Sequence, residues 1–156
     1  IASELDSCWF GKYMTMTRDL TNLETLVRSR LRRVNETLYN ASLLPGGLIP
    51  EEQWRALYGR SDDEIAEQLE MTSYGSMIPL ISSYGEQGGA SNFSRERDIL
   101  LYGHLSTGKE QLSGPERVLS YIMARELEIR NVKMVLSALA NELGEEELIA
   151  LRRDFS

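Results

Sequence analysis

The sequence is short of most groups that carry chemistry. It has one cysteine, Cys8, and one histidine, His104. A single cysteine excludes an internal disulfide and fits a reducing compartment. A histidine-containing metal site or a Ser-His-Asp triad would have to be built on His104. No Glu-x-x-His, Cys-x-x-Cys or Gly-x-Ser-x-Gly accompanies it. The Walker A and dinucleotide fingerprints are missing too, so the sequence shows no means of binding ATP. We therefore expect no catalytic residue, metal or cofactor. No apolar run approaches the roughly 20 residues that span a bilayer, and no charged-then-apolar leader opens the chain, which begins at Ile1. Any membrane role is expected to be peripheral, through a partner. Basic charge is also scarce: 17 Lys and Arg against 24 Asp and Glu leave a net charge of −7. Free nucleic acid is thereby disfavoured, because phosphate binding needs concentrated cations. The sequons Asn35-Glu36-Thr37 and Asn40-Ala41-Ser42 are read as accidental.

What the sequence has is helical periodicity. Over 17–39, Leu20, Leu23, Val27, Leu31, Val34 and Leu38 recur in steps of three and four, which predicts one amphipathic helix. A weaker helix holding Trp9 and Phe10 precedes it. Pro45, Gly46 and Gly47 then break the chain, and Pro50 suits the first turn of a short helix at 51–58 anchored by Trp54 and Leu57. Ser61 with Glu64 forms a capping box that opens a helix with Ile65 and Leu69 inward. Residues 82–92, rich in Gly and Ser, are the best loop candidate. Helix returns over 94–106. Ser113 with Glu116 forms a second capping box, which opens the longest helix, about 115–142. Gly144 ends that helix, and "EEELIALRRDF" is expected to form a last one. No stretch alternates with period two, so the fold is expected to be all-α, a helical bundle. The expected organisation is a helical unit over 1–81, a loop over 82–93 and a second unit over 94–156.

An internal repeat accompanies the periodicity. With an offset of 109 residues, "DLTNLETLV" from Asp19 aligns with "EIRNVKMVL" from Glu128. Asp19 meets Glu128 and Asn22 meets Asn131, between matched aliphatic positions. Each copy is followed by a glycine break and an acidic stretch, "GGLIPEEQWRAL" and "GEEELIALRRDF". The expected fold is therefore a bundle of repeated helical units.

These same stretches resemble a known family. "YIMARELEIRNVKMVL" is similar to the C-terminal signature of the C subunit of A/V-type ATPases, whose eukaryotic counterpart is the d subunit. The Glu-x-Glu-Ile-x-Asn core is matched by Glu126, Glu128, Ile129 and Asn131. Asp19, Asn22 and Arg28 match a second hallmark, "LLPGGLIPEEQWRAL" resembles the family's Gly-Gly loop, and "EIAEQLEMTSYG" resembles its Leu-x-x-Thr-x-Tyr ending. Family chains are roughly twice this length, with three similar domains, so the chain would correspond to the C-terminal part. The resemblance implies a non-catalytic rotor subunit on the cytoplasmic side. It would link the central shaft to the membrane rotor ring and transmit torque between ATP turnover and ion movement. A helical scaffold or adaptor of another cytoplasmic complex is the alternative.

The residues expected to matter are then structural or interfacial. Glu126 sits between Ile122 and Ile129 on the helical wheel, where an unpaired buried carboxylate would cost several kcal/mol. It is expected to be buried and paired with an arginine: Arg130 four residues on, or Arg28 or Arg30 from the earlier helix. Asn22 and Asn131 are expected to cap loop backbone groups or bridge helices. Arg28, Arg30, Arg32 and Arg33 form a basic cluster, read as a solvated face or as a contact for an acidic partner or anionic lipid head groups. Gly46 and Gly47 complete the set.

Overall fold

The computed structural model describes residues 8–108, 114–141 and 144. The chain is all-α, with seven helices and no strand among those residues. They are α1 (Cys8–Leu31), α2 (Glu36–Ala41), α3 (Glu51–Leu57), α4 (Asp62–Glu70), α5 (Ile78–Ser82), α6 (Gly89–Thr107) and α7 (Pro115–Ala140). The chain divides into two compact units. One is Gly11–Arg97; the other joins the chain before Gly11 to the chain from Asp98 onward.

In the 11–97 unit, the predicted stripe of α1 is the core. Leu20, Leu23, Leu26 and Val27 are buried, and so are Ile49, Trp54, Leu57, Ile65, Leu69 and Phe93 from the elements that follow. Amphipathic burial of this kind is the main source of stability for such helices. The single helix expected over 17–39 is instead two. α1 stops at Leu31, Arg33 takes a left-handed φ of 51°, and Asn35 caps α2 by accepting the Thr37 N–H at 2.8 Å. A short polar side chain that bonds its own backbone competes with helix continuation, which is why the stripe breaks there. Leu38, placed on the stripe by periodicity, is exposed, while its neighbour Tyr39 is buried and donates to the Trp54 carbonyl at 2.7 Å.

The capping box at Ser61 and Glu64 forms as expected. Ser61 Oγ accepts the Glu64 N–H, and the Glu64 carboxylate accepts the Ser61 N–H at 2.8 Å. Those bonds, the backbone one first, hold the Glu64 pKa below its ordinary value. Of the stretch expected as a loop, Ser83–Gly85 form a 3-10 turn and α6 begins at Gly89.

In the other unit, Trp9 is clamped by the end of α6. Its ring stacks on His104 with centroids 5.2 Å apart, and its indole N–H donates to Thr107 Oγ1 at 3.0 Å. His104 Nε2 donates to the Trp9 carbonyl at 2.8 Å, so the only histidine serves packing. Gly108 is needed there, because a Cβ would lie 2.7 Å from the Trp9 ring. α7 lays a narrow face of small residues inward: Ser120, Ala124 and Ala138, with Leu127, are buried. Ser120 Oγ donates to the Leu105 carbonyl at 2.6 Å. The N-cap of α7 is Gly114, with Pro115 in the first turn, rather than Ser113, which lies outside the described residues. The last helix expected from "EEELIALRRDF" also lies outside them.

Candidate functional site

The backbone between α2 and α3 has no regular partner, so residues 43–49 must find hydrogen bonds elsewhere. α1 supplies them from three polar positions. Asn22, fully buried, clasps Leu44 at both ends: its Nδ2 donates to the Leu44 carbonyl at 2.9 Å, and its Oδ1 accepts the Leu44 N–H at 2.8 Å. One turn earlier, Asp19 is also fully buried. Its Oδ2 accepts the Leu48 N–H at 2.8 Å, and its Oδ1 accepts the Ile49 N–H at 3.3 Å. Tyr74 donates its hydroxyl to the same Oδ2 at 2.8 Å. Arg18 donates to the Gly46 carbonyl at 3.1 Å. Gly46 has φ +82°, and a Cβ on Gly47 would sit 2.0 Å from Asp19 Oδ1, so both glycines are demanded by the joint.

Buried polar groups persist only when they are satisfied. Here the carboxylate has its acceptor sites taken by two backbone N–H groups and a phenol. The arrangement locks an irregular loop onto a long helix, and Leu44 and Leu48 stand outward in solvent. The tyrosine position is itself prepared locally. Thr72 Oγ1 donates to the Leu69 carbonyl at 2.7 Å and accepts the Tyr74 N–H at 3.1 Å, which gives the Leu-x-x-Thr-x-Tyr ending its physical meaning.

Burial, then the bond to Asp19, push the Tyr74 phenol far above its ordinary value of 10.0; burial does the same to Tyr39, and burial with Glu24 raises Tyr84. A folded-state pKa above the unfolded one means stability that is complete below pH 10 and lost as pH rises beyond it. Three of the seven tyrosines are therefore expected to stay protonated in native protein above pH 10 and to ionise on adding urea. Phenolate absorbance with and without denaturant reads this directly. Full native ionisation of all seven would contradict it.

Four of the sequence-predicted residues thus meet in one joint: Asp19, Asn22, Gly46 and Gly47. The others do not join them. Arg28 lies 3.8 Å from Glu24 within α1, and Arg30 pairs with Asp62 at 2.8 Å. That second pair stands at a pocket of about 210 Å³ lined also by Val27, Leu31, Ile81 and Tyr84. Arg28 shares Glu24 with Arg97, which reaches it at 2.6 Å, and Arg32 and Arg33 are exposed.

The expectation for Glu126 is overturned. Its side chain is exposed, and it forms no ion pair among the described residues. Arg130 instead reaches Asp98, which is 2% exposed, with both oxygens at 3.2 Å. Glu128, aligned with Asp19 in the repeat, is exposed and pairs with Arg125. Asn131 is half-buried. The cause is that α7 buries its small-residue face, not the large aliphatic stripe on which the wheel placed Glu126. Sequence reasoning missed Tyr74, Arg18 and Asp98. Only Tyr74 carried a signal, as the last aromatic of the quoted motif.

The family model for the ATP synthase (C/AC39) subunit matches residues 2–150. The chain belongs to that family. The A-type ATP synthase C subunit of Pyrococcus abyssi is 23% identical over 144 residues, and that of Pyrococcus furiosus 23% over 142. Each alignment takes in 88% of this chain and 38% of the relative. The chain thus spans well under half the length of the curated C/AC39 relatives it matches. No solved structure gives a significant match. No helix among the described residues is long and apolar enough to cross a membrane.

Proposed function

We propose that the chain is a non-catalytic part of the central stalk of an A/V-type ATPase. In this reading it links the shaft to the membrane rotor ring and carries torque between ATP turnover and ion translocation. It would act on the cytoplasmic side, peripheral to the membrane, through the other subunits and without a cofactor. The observation that supports it most, beside family membership, is the joint at Asp19. A coupling element must not yield where its helices meet irregular chain. Here a buried carboxylate, an amide, a phenol and a guanidinium together fix one loop to one helix. The carboxylate's oxygens are occupied by structural donors, which suits a mechanical part rather than an acid–base catalyst.

The test is capture of purified shaft and ring subunits from the same source by the tagged chain. Retention of both is expected. A folded chain that retains neither would remove the rotor reading. Capture of other cytoplasmic proteins in their place would favour a scaffold of a different complex.

A further inference from the structure

The end of α1 keeps a cation in a costly place. The Val34 N–H donates to the Ser29 carbonyl at 2.9 Å, and the Arg33 N–H donates to the Arg30 carbonyl at 3.1 Å. Those two bonds close the helix as a Schellman turn, whose left-handed position falls on Arg33. Glycine is the usual occupant, because a Cβ is strained at positive φ. Among the described residues Arg33 is the only one other than glycine held there. The strain belongs to the backbone, whatever covers the surface. Cations do favour a helix C-terminus, but Arg28 and Arg30 in the last turn already supply them. A side chain kept against its own backbone preference points to a use for that side chain.

The pocket of about 210 Å³ opens beside this turn. Its floor is apolar: Val27 and Ile81 are each 6% exposed, and Leu31 stands at the rim. Its surroundings are cationic. Burial and then Glu24 raise the Tyr84 phenol, while the Arg28 and Arg32 charges oppose that rise, so both guanidinia act on the Tyr84 wall. Asp62 takes Arg30, and Glu24 is shared by Arg97 and Arg28. Arg32 and Arg33 have no carboxylate partner among the described residues. We propose that the pocket and its arginine rim dock an acidic peptide segment of a partner protein, which seats one apolar side chain over Val27 and Ile81 and sets carboxylates against Arg32 and Arg33. On a chain of net charge −7, such a segment is repelled elsewhere, so the basic end of α1 fixes where it lands.

This goes beyond the rotor reading and does not rest on it. A chain that binds the acidic segment yet retains neither shaft nor ring would remove that reading alone. A chain that retains both yet ignores the segment would remove this proposal alone.

Fluorescence anisotropy with a labelled peptide of five Glu-Glu-Leu repeats tests it. Peptides of Glu-Glu-Ser and Lys-Lys-Leu repeats separate the apolar and the charged contributions, and both should bind more weakly. Arg33→Gly should raise the urea midpoint, because the turn relaxes, and yet weaken binding of the Glu-Glu-Leu peptide about twofold to fivefold. A merely structural arginine would not move stability and affinity in opposite directions. Arg32→Ala should weaken binding by a similar factor and leave helicity by circular dichroism unchanged. Ser82→Trp places an indole at the lined pocket and should abolish the preference for Leu over Ser. Equal binding of the Glu-Glu-Leu and Glu-Glu-Ser peptides would overturn the proposal. So would affinity indifferent to both arginine variants. Binding to phosphatidylglycerol vesicles without binding to the peptide would overturn it in favour of a lipid surface.

Discussion

Asp19→Ala is expected to lose about 3–5 kcal/mol of folding stability. The substitution strands three donors at once: the part-buried Leu48 N–H, the buried Ile49 N–H and the buried Tyr74 hydroxyl. Each would cost about 1–3 kcal/mol if left unsatisfied, and partial relaxation of the loop towards water limits the sum. Against a typical total of about 5–15 kcal/mol, that is a large share. Urea denaturation should show it as a lower midpoint. Asp19→Asn keeps one acceptor oxygen but turns an NH₂ towards a donor, so its loss should be smaller. Tyr74→Phe removes one donor together with its partner bond and should cost about 1 kcal/mol. The order of losses, Asp19→Ala above Asp19→Asn above Tyr74→Phe, is the signature of a carboxylate used for its acceptor count. An Asp19→Ala variant within about 1 kcal/mol of wild type would contradict it.

This joint was the most legible part of the chain. Asp19 and Asn22 stood out because the alignment at an offset of 109 and the family hallmark both picked them. Gly46 and Gly47 stood out because, with Pro45, they break the helical pattern. In the structure the helix and the loop supply one another's polar partners. Helix existence was legible for a related reason, through periodicity and the Ser61 cap. Boundaries were not. The end of α1 depends on Asn35 bonding its own turn, an interaction of a few atoms that leaves the period of Leu31, Val34 and Leu38 intact.

The repeat shows where periodicity misleads. Leu20, Leu23 and Val27 of α1 align with Ile129, Val132 and Leu136 of α7 at the offset of 109. The first three are buried and the last three exposed. An apolar stripe states that a face avoids water; it does not state what covers it. On α7 the tight contact is made by small side chains, which contribute little to a hydrophobic wheel. Glu126 therefore lies outside the core although its neighbours along the helix are aliphatic. The polar partner of the α7 region is Asp98 on α6, with Arg130, and nothing in the local pattern around Asp98 distinguishes it from a surface acid.

Gly47→Ala carries the second large effect. Its Cβ would stand 2.0 Å from Asp19 Oδ1 and 2.9 Å from the carboxyl carbon. Contact that short forces either the loop or the carboxylate to move, and both are tied by hydrogen bonds. A loss of about 3 kcal/mol or more is expected, in the range of severe overpacking. The neighbouring change Gly46→Ala should cost less, about 1–2 kcal/mol, from φ +82° and a looser approach of 3.1 Å to Arg18 Nη1. Because the atom in the way at Gly47 belongs to Asp19, the two substitutions cannot be independent. In an Asp19→Ala background the obstructing oxygen is gone, so Gly47→Ala should add only about 1 kcal/mol. A double-mutant cycle by urea denaturation measures the difference. Additivity of the two losses would mean that the glycine is held for backbone freedom alone. A strong negative coupling would establish that glycine and carboxylate are one device, in which the absence of a side chain on the loop admits the charge that holds it.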